Sequence, residues 1–470
     1  MRTTAIERRE KEIDSKLRVH AWTPSGFITA GVLELEEDGE SISASFAYDP
    51  GYLTDPRSFP LDPINMPLGK TLFASTSQFV RVGAIFDAAP DAWGRRVVQA
   101  QLPEEARQRV FRGAFLRGAD GIGGLVLTPN AATGEIDLDE IVAQSLAERP
   151  GTSQLEKASR AALKFEEGAE LTDEMKDMLG GSWTIGGARP KAILRDESPG
   201  ALPGCSVIAK FQSRNDTIER NRLEIATLRM AADMGFTTPG HRLEELANGQ
   251  TVLVLDRFDR HAVDGKMRRR HYVSAMSLAS YEPQSKFLNS TMDKAILSWS
   301  KLLDITSRIC TSPAASRVQM FGRLCLNAAL QNTDDHLKNF GFLKSPGSPM
   351  HYEIAPVFDV SPQGAQRHYL NCLDRGQVYT LHEAMGSARG LGIAKGAAQD
   401  VEDSIMQVLQ HRARYFEEAG LNAADAAKVE DWVMSGLGNH YTGKTWQPAK
   451  TAGLGSAGPQ AGSGTSSPSM

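Results

Sequence analysis

The sequence has few cysteines, no long apolar run and no excess of positive charge. Its 470 residues include four cysteines, none in a Cys-x-x-Cys pair, and no cysteine–histidine cluster has zinc spacing. No apolar run approaches the roughly 18 residues of a membrane-spanning helix, and the charged N-terminus lacks the apolar stretch of a secretory signal. A net charge of −5 excludes the global field of a nucleic-acid-binding protein. We therefore expect a cytoplasmic protein with reduced thiols and no membrane contact.

The length predicts two or three domains. Residues 1–150 combine alternating strand patterns with an amphipathic helical stretch and are predicted to form an α+β subdomain. Residues 151–180 have helical spacing and are predicted to be a connector. Strand patterns followed by helical patterns predict an α+β domain over residues 181–440. Residues 451–470 contain five glycines and five serines but no charged residue, which predicts a disordered tail.

The strongest local signal is a polar cluster directly after an amphipathic helical pattern. Asp334 and Asn339 have the D-x-x-x-x-N spacing of a kinase catalytic loop, in which the Asp accepts the proton of the attacking hydroxyl and the Asn binds magnesium. Asp359 ends an apolar stretch, residues 354–358, that is predicted to be a strand; a carboxylate there would complete the metal site. The alternatives are a helix cap at Asp334 and a simple turn at Asp359.

A glycine-rich segment, residues 180–191, precedes these signals. It contains the Gly-x-x-x-x-Gly spacing of a P-loop, but Gly187 and Ala188 stand where Lys and Ser or Thr are required, which excludes a P-loop NTPase. Backbone N–H groups of glycines can approach phosphates, and Arg189 and Lys191 lie nearby. The alternative is a hairpin or linker between domains.

Two further segments suggest the parts of a nucleotide site. Lys210 lies in an apolar strand pattern, and Glu224 lies within the next helical pattern, which Asp216 and Glu219 are predicted to begin as a capping box. A kinase holds its strand lysine on the phosphates with a glutamate from the next helix. The alternatives are a lysine that reaches solvent and a glutamate on a wet helix face. Residues 252–256 predict a buried strand whose end would form the hinge between two lobes.

Taken in chain order, these segments follow the N-to-C order of a bilobal protein kinase. They resemble the HipA family of toxin kinases, the serine/threonine kinases of type II toxin–antitoxin systems. The matched segments are residues 186–191, 255–260, 333–340 and 355–360. The resemblance implies an α+β, bilobal, protein-kinase-like fold with a small strand-rich nucleotide-binding lobe and a mainly helical C-terminal lobe.

The resemblance also implies ATP and Mg²⁺ as cofactors and a role for each matched residue. Asp334 would be the catalytic base, and Asn339 and Asp359 would hold Mg²⁺. Thr184, or alternatively Ser182, falls where family members autophosphorylate and so inactivate themselves. The ATP-binding residues would be Lys210, Asp256, Phe258, Gly186, Gly187, Ala188, Lys191, Glu224 and His336, with the hinge acting mainly through its backbone.

Family members phosphorylate translation proteins, notably aminoacyl-tRNA synthetases. A HipB-like helix-turn-helix antitoxin typically binds them and carries the complex onto operator DNA. The resemblance therefore implies a protein kinase toxin that reaches DNA only through its antitoxin. Two alternatives stay open: a small-molecule phosphotransferase, which would share a similar catalytic loop, and a non-catalytic corepressor partner of the antitoxin. The sequence does not say which protein is phosphorylated.

Overall fold

The computed structural model describes residues 15–38, 41–75, 81–90, 92–117, 119–130, 137–179, 189–281, 290–365 and 367–438. Several predicted features lie outside these residues. They are the loop residues Gly186, Gly187 and Ala188, the phosphorylation candidates Thr184 and Ser182, and the tail 451–470. Among the helices that are described, none is long and apolar enough to cross a membrane.

The N-terminal subdomain is built on a five-stranded antiparallel sheet with the order β4-β3-β2-β1-β5. Its apolar–polar alternation buries one face of each strand, as in Leu17, Val19 and Ala21. The strands are β1 Lys16–Thr23, β2 Gly26–Asp38, β3 Ser41–Tyr48, β4 Leu72–Ala74 and β5 Leu125–Pro129. The helices are α1 Pro50–Thr54, α2 Gly83–Phe86, α3 Ala92–Gln101 and α4 Val110–Arg117.

A second, four-stranded antiparallel sheet has the order β6-β7-β9-β8. Its strands are β6 Lys191–Arg195, β7 Ser206–Lys210, β8 His241–Glu245 and β9 Thr251–Asp256. Three helices precede it: α5 Leu138–Ala147, α6 Leu155–Glu166 and α7 Asp173–Leu179. The predicted connector helices α6 and α7 pack on one face of this sheet and share a core with Val207 and Val254.

The other face of this sheet packs on α8, Arg220–Asp233. Leu253 and Leu255 alternate with Val252 and Val254 along β9, and the two pairs belong to different cores. Side chains alternate between the two faces of a strand. Lys210 therefore lies with Ile208 on the face of β7 that packs on α8, whereas Val207 and Ala209 lie on the other face. The period of two along β7 thus aims the strand lysine at α8.

The C-terminal lobe is mainly helical and contains the largest core. Its helices are α9 Ala275–Ala279, α10 Thr291–Ile296, α11 Trp299–Ile309, α12 Pro313–Leu330, α13 Leu381–Gly386, α14 Lys395–Leu409, α15 Arg412–Glu418 and α16 Ala423–Leu437. A hairpin, β10 Arg260–Val263 and β11 Lys266–Arg269, leads into it from the hinge. A small sheet in the order β12-β13-β14 is formed by Tyr272–Ser274, Gly341–Lys344 and Tyr352–Ile354.

Two local predictions are wrong. The capping box predicted at Asp216 is absent, since the N-cap of α8 is Glu219, which makes no side-chain cap bond. The carboxylate of Asp216 instead accepts from Arg189 Nη2 at 2.5 Å and from the Ser213 N–H at 3.0 Å. The strand predicted over residues 354–358 ends at Ile354. Pro356 follows shortly and has no N–H to donate to a ladder.

Candidate active site

The centre of the site is a buried ammonium group held between two lobes. Lys210 Nζ lies 2.6 Å from Glu224 Oε1 on α8, and it also donates to Asp359 Oδ1 from the C-terminal lobe. Lys210 and Glu224 are both buried, so neither reaches solvent as the alternatives required. Burial alone would lower the pKa of Lys210, but the carboxylates of Asp359 and Glu224 raise it to about 12. The lysine therefore stays charged.

Asp359 has an unusual backbone conformation at the junction of the lobes. Its φ of 51° lies in the left-handed region, which is uncommon for a residue with a side chain. Burial by itself would raise the pKa of this carboxyl, but the ammonium groups of Lys210 and Lys191 lower it to about 2. Lys191 pairs in register with Lys210 across β6 and β7, which places both lysines on the same face of the sheet. The cleft thus holds an ionised carboxylate between cations.

The loop that contains the D-x-x-x-x-N pattern starts where α12 ends. Gln331 closes α12 in the left-handed conformation, with φ 52°, and turns the chain out of the helix. The Asp334 side chain is 60% exposed and has His336 Nε2 at 3.7 Å from its Oδ1. Asn339 Nδ2 donates to the Asp334 carbonyl oxygen at 2.7 Å. This bond ties the two ends of the pattern together and leaves the amide oxygen of Asn339 for another partner.

The donor set of the site fits a magnesium ion. Asn339 and Asp359 line the same small recess, which lies between the loop and the segment that follows β14. An amide oxygen and a carboxylate are hard oxygen ligands of the kind that Mg²⁺ prefers, with phosphate oxygens and water filling the other positions. Within the described ranges, no group of three or more His, Cys, Asp or Glu side chains is placed to hold a metal ion.

The predicted hinge residues have contrasting environments. Asp256 ends β9 with an exposed side chain, and its N–H donates to the Gly240 carbonyl at 2.7 Å. A nucleotide would therefore have to use another backbone group of this segment. The ring of Phe258 packs 5.2 Å from that of Phe358, the residue before Asp359. The structure thus brings Phe258 close to the predicted metal site and leaves Asp256 exposed beside Gly240.

The sequence analysis missed the residue that anchors the loop. Asp335, next to Asp334, is 0% exposed. Its Oδ1 accepts from the Tyr369 N–H at 2.6 Å and its Oδ2 accepts from the Tyr379 hydroxyl at 3.0 Å, while His368 Nδ1 lies 3.4 Å from Oδ2. These contacts fasten the loop to the segment that follows Asp359. The only sequence signal was the doubled aspartate, which does not show which of the two is buried.

These features define a class of protein. An antiparallel sheet presents a lysine held by a helix glutamate, and a helical lobe presents a loop with Asp334 and Asn339 and a second carboxylate, Asp359. This is the bilobal α+β architecture of protein-kinase-like folds.

Comparison with known proteins agrees with this class. Residues 183–415 match the model of the family described as HipA-like C-terminal domain. The resemblance and the α+β fold predicted from the sequence are confirmed.

One solved structure and one curated relative add detail. A chain of the Shewanella oneidensis MR-1 toxin–antitoxin complex of HipA, HipB and operator DNA has a TM-score of 0.60 and 18% identity, covering 90% of this chain and 96% of its own. A Haemophilus influenzae protein named a putative kinase is 27% identical over 147 residues. That match covers 30% of this chain and 41% of the relative's length.

Proposed function

We propose that this protein is an ATP- and Mg²⁺-dependent serine/threonine protein kinase that acts as the toxin of a type II toxin–antitoxin system. The observation that carries the proposal is the ammonium of Lys210, held by Glu224 and Asp359 at the junction of the lobes. Placing three charged groups together, two of them buried, is unfavourable unless they are well paired, and it is weak evidence for a role in stability. A site that must orient phosphates explains why such groups are placed here.

The residues suggest a division of labour in phosphoryl transfer. Lys210 would orient the phosphates, and Asn339 and Asp359 would hold Mg²⁺, which neutralises phosphate charge when bound. Asp334, at the exposed mouth of the loop, would accept the proton of the acceptor hydroxyl as its oxygen attacks the γ-phosphorus. The bond from the γ-phosphorus to the bridging oxygen breaks, and ADP leaves. His336, beside Asp334, would help to orient that carboxylate or the nucleotide.

The proposed partner is a HipB-like helix-turn-helix antitoxin, through which the protein would reach operator DNA in the cytoplasm. Support comes from the Shewanella structure, in which HipA was solved together with HipB and operator DNA. The net charge of −5 agrees with DNA contact through a partner rather than directly. A translation protein such as an aminoacyl-tRNA synthetase is the proposed substrate, and Thr184 or Ser182 the proposed site of autophosphorylation.

The test is phosphate transfer by wild-type protein and by Asp334→Ala after incubation with ATP and Mg²⁺. We expect phosphate on wild-type Thr184 or Ser182 in intact-mass and phosphopeptide analysis. Loss of the general base should reduce the rate at least about a hundredfold. The melting temperature should hardly change, because Asp334 is exposed and does not pack in the core.

The matched control is Asp374→Ala, which removes an aspartate that is 85% exposed in the same lobe. It should transfer phosphate at the wild-type rate. Wild-type turnover in Asp334→Ala would show that the base is assigned wrongly. Transfer to a small-molecule acceptor but to no protein would favour the phosphotransferase alternative, and absence of both transfer and ATP binding would favour a non-catalytic corepressor.

A further inference from the structure

A buried ionic cluster joins the N-terminal subdomain to the segment that links the two lobes. It contains Asp120 from the loop before β5 and Arg257, Asp259 and Arg260 from the segment after β9. The side chains of these four residues are between 0% and 5% exposed. Asp120 is separated from the other three residues by more than 130 positions in the sequence, so the cluster is a tertiary contact between two parts of the chain.

Each arginine of the hinge segment is bonded to the same loop by more than one group. Arg257 Nη1 donates to Asp120 Oδ2 at 2.9 Å, and its Nη2 donates to the Gly121 carbonyl at 2.9 Å. Arg260 Nη2 donates to Asp120 Oδ1 at 2.6 Å, and its Nη1 donates to the Gly123 carbonyl at 3.0 Å. Such bidentate contacts fix orientation as well as distance.

The loop also donates a hydrogen bond to the hinge segment, and the cluster as a whole has more arginines than carboxylates. The Gly123 N–H donates to Asp259 Oδ2 at 2.6 Å. Two more buried guanidinium groups, those of Arg149 and Arg269, lie 3.5 Å and 3.6 Å from Asp120. Four arginines therefore share two carboxylates. Without the charge of Asp120, several of these guanidinium groups would lose their counter-charge in a buried site.

An apolar contact continues from the same loop towards the predicted metal site. Ile122, Phe258 and Phe358 all pack against one small core, which is formed by Tyr272, Leu343 and Ala355. Phe258 follows Arg257 directly, and its ring lies 5.2 Å from that of Phe358 at an interplanar angle of 30°. Phe358 immediately precedes Asp359. The loop thus contacts the hinge and shares a core with the residue next to the metal-site carboxylate.

We infer that the loop over residues 119–123 is a structural part of the nucleotide site. Asp120 and Ile122 are positioning residues: Asp120 fixes the hinge through Arg257 and Arg260, and Ile122 packs against the small core that also supports Phe258 and Phe358. The N-terminal subdomain is then necessary for nucleotide binding through its effect on the hinge. The effect of this loop on ATP binding rests on the proposed kinase function. Its effect on the order of the hinge rests on the structure alone.

The test compares Asp120→Asn and Ile122→Ala with wild type in the full-length chain. Without nucleotide, amide hydrogen exchange of peptides covering residues 253–263 should be about tenfold faster in both variants, because buried partners are left unpaired or loosely packed. In kinase assays, KM for ATP should rise about tenfold while kcat at saturating ATP stays within about twofold. A general loss of folded protein would instead lower kcat in proportion and leave KM unchanged.

The control is Glu37→Gln, which alters a carboxylate of the same subdomain that caps α4 by accepting from the Phe111 and Arg112 N–H groups at 2.8 Å. It should change neither hinge exchange nor KM. Should Asp120→Asn fail to fold, Ile122→Ala still tests the claim, because it leaves the ionic cluster intact. Unchanged exchange in the variants would overturn the inference; absence of ATP binding by wild type would overturn the proposed function instead.

Discussion

Two adjacent aspartates in the loop after α12 have opposite environments. The Asp334 side chain is 60% exposed at the mouth of the cleft, whereas Asp335 is 0% exposed and surrounded by hydrogen-bond donors. A buried carboxylate without such donors would be strongly destabilising. The donors come from Tyr369 and Tyr379, which follow Asp359 in the chain. Anchoring by Asp335 therefore determines where the carboxylate of Asp334 lies.

At this scale we predict the effect of Tyr379→Phe. The Tyr379 hydroxyl donates to Asp335 Oδ2 and accepts from Trp299 Nε1 at 2.8 Å, so its removal leaves a buried carboxylate and a buried indole N–H each short of one bond. We expect a loss of about 1–3 kcal/mol in the free energy of unfolding. The kcat should fall about tenfold because the loop is less well held, with little change in KM for ATP.

Tyr415→Phe is the control for this prediction. Its hydroxyl also donates to an aspartate, Asp233, but at the far end of α8 from Glu224. It should lower stability without a specific loss of kcat. An equal fall of kcat in both variants would mean that Tyr379 acts only through global stability.

At the scale of elements, α8 is unusual because it is buried on most sides. The predicted helix over residues 217–234 is observed as Arg220–Asp233, and nine of its fourteen residues are buried. Contacts with the helices near the C-terminus, such as Arg222 Nη1 donating to the Ala419 carbonyl at 3.0 Å, hold it from the outside. The Lys210–Glu224 pair is therefore formed by a helix that is packed between the lobes.

The geometry of this pair predicts unequal costs for removing its two partners. Lys210→Met leaves the carboxylates of Glu224 and Asp359 facing each other without the ammonium that both contact, and it should lower the free energy of unfolding by about 3–5 kcal/mol. Glu224→Gln leaves Lys210 paired with Asp359 and should lower it by only about 1–3 kcal/mol. Urea denaturation at neutral pH measures both values.

Glu244→Gln is a suitable control, because its pair with Arg242 is exposed and should contribute little. The interpretation is wrong if Glu224→Gln proves as costly as Lys210→Met. That result would mean that Asp359 does not stabilise the lysine.

At the scale of the whole molecule, the N-terminal subdomain and the C-terminal lobe are joined by buried polar contacts. One ring nitrogen of His271, Nε2, lies 2.8 Å from the Leu61 carbonyl oxygen, and Asn65 Nδ2 donates to the Ser277 carbonyl at 3.1 Å. Asp87 accepts from the N–H and the hydroxyl of Ser274, both at 2.7 Å. These contacts lie apart from the cluster at Asp120, so the subdomain is held at more than one place.

His271 predicts a dependence of stability on pH. Burial lowers the pKa of this histidine to about 4, whereas an unfolded histidine has a pKa of about 6.5. In the unfolded state this histidine therefore binds a proton more readily than in the folded state. The contribution of His271 to stability is fully present above pH 6.5 and is lost as the pH falls from 6.5 towards 4. Between pH 7.5 and 5.0 the loss from this one group is about 2 kcal/mol.

Urea denaturation at these two pH values checks the prediction. In His271→Gln the fall in the free energy of unfolding should be smaller than in wild type by about 2 kcal/mol. His411→Gln, which changes an exposed histidine, should keep the wild-type fall. Identical pH dependence in His271→Gln and wild type would contradict the assignment.

The sequence by itself determined the order of the elements and the candidates for the cleft. Alternation along β1, the apolar runs of β7 and β9 and the helical spacing of α8 and α12 are local properties, so they could be predicted from neighbouring residues. The D-x-x-x-x-N pattern and the position of Lys210 within a strand are likewise local. The tertiary structure then placed Lys210, Glu224 and Asp359 in contact.

Only the tertiary structure decided which charged groups are buried and what they contact. The capping box at Asp216 was wrong because Arg189, distant in sequence, takes that carboxylate. The anchoring of Asp335 and the contacts of Asp120 with Arg257 could not be predicted for the same reason. The partner of a buried charge is chosen by how the elements pack, since low-dielectric surroundings make an unpaired charge unfavourable wherever it lies in the sequence.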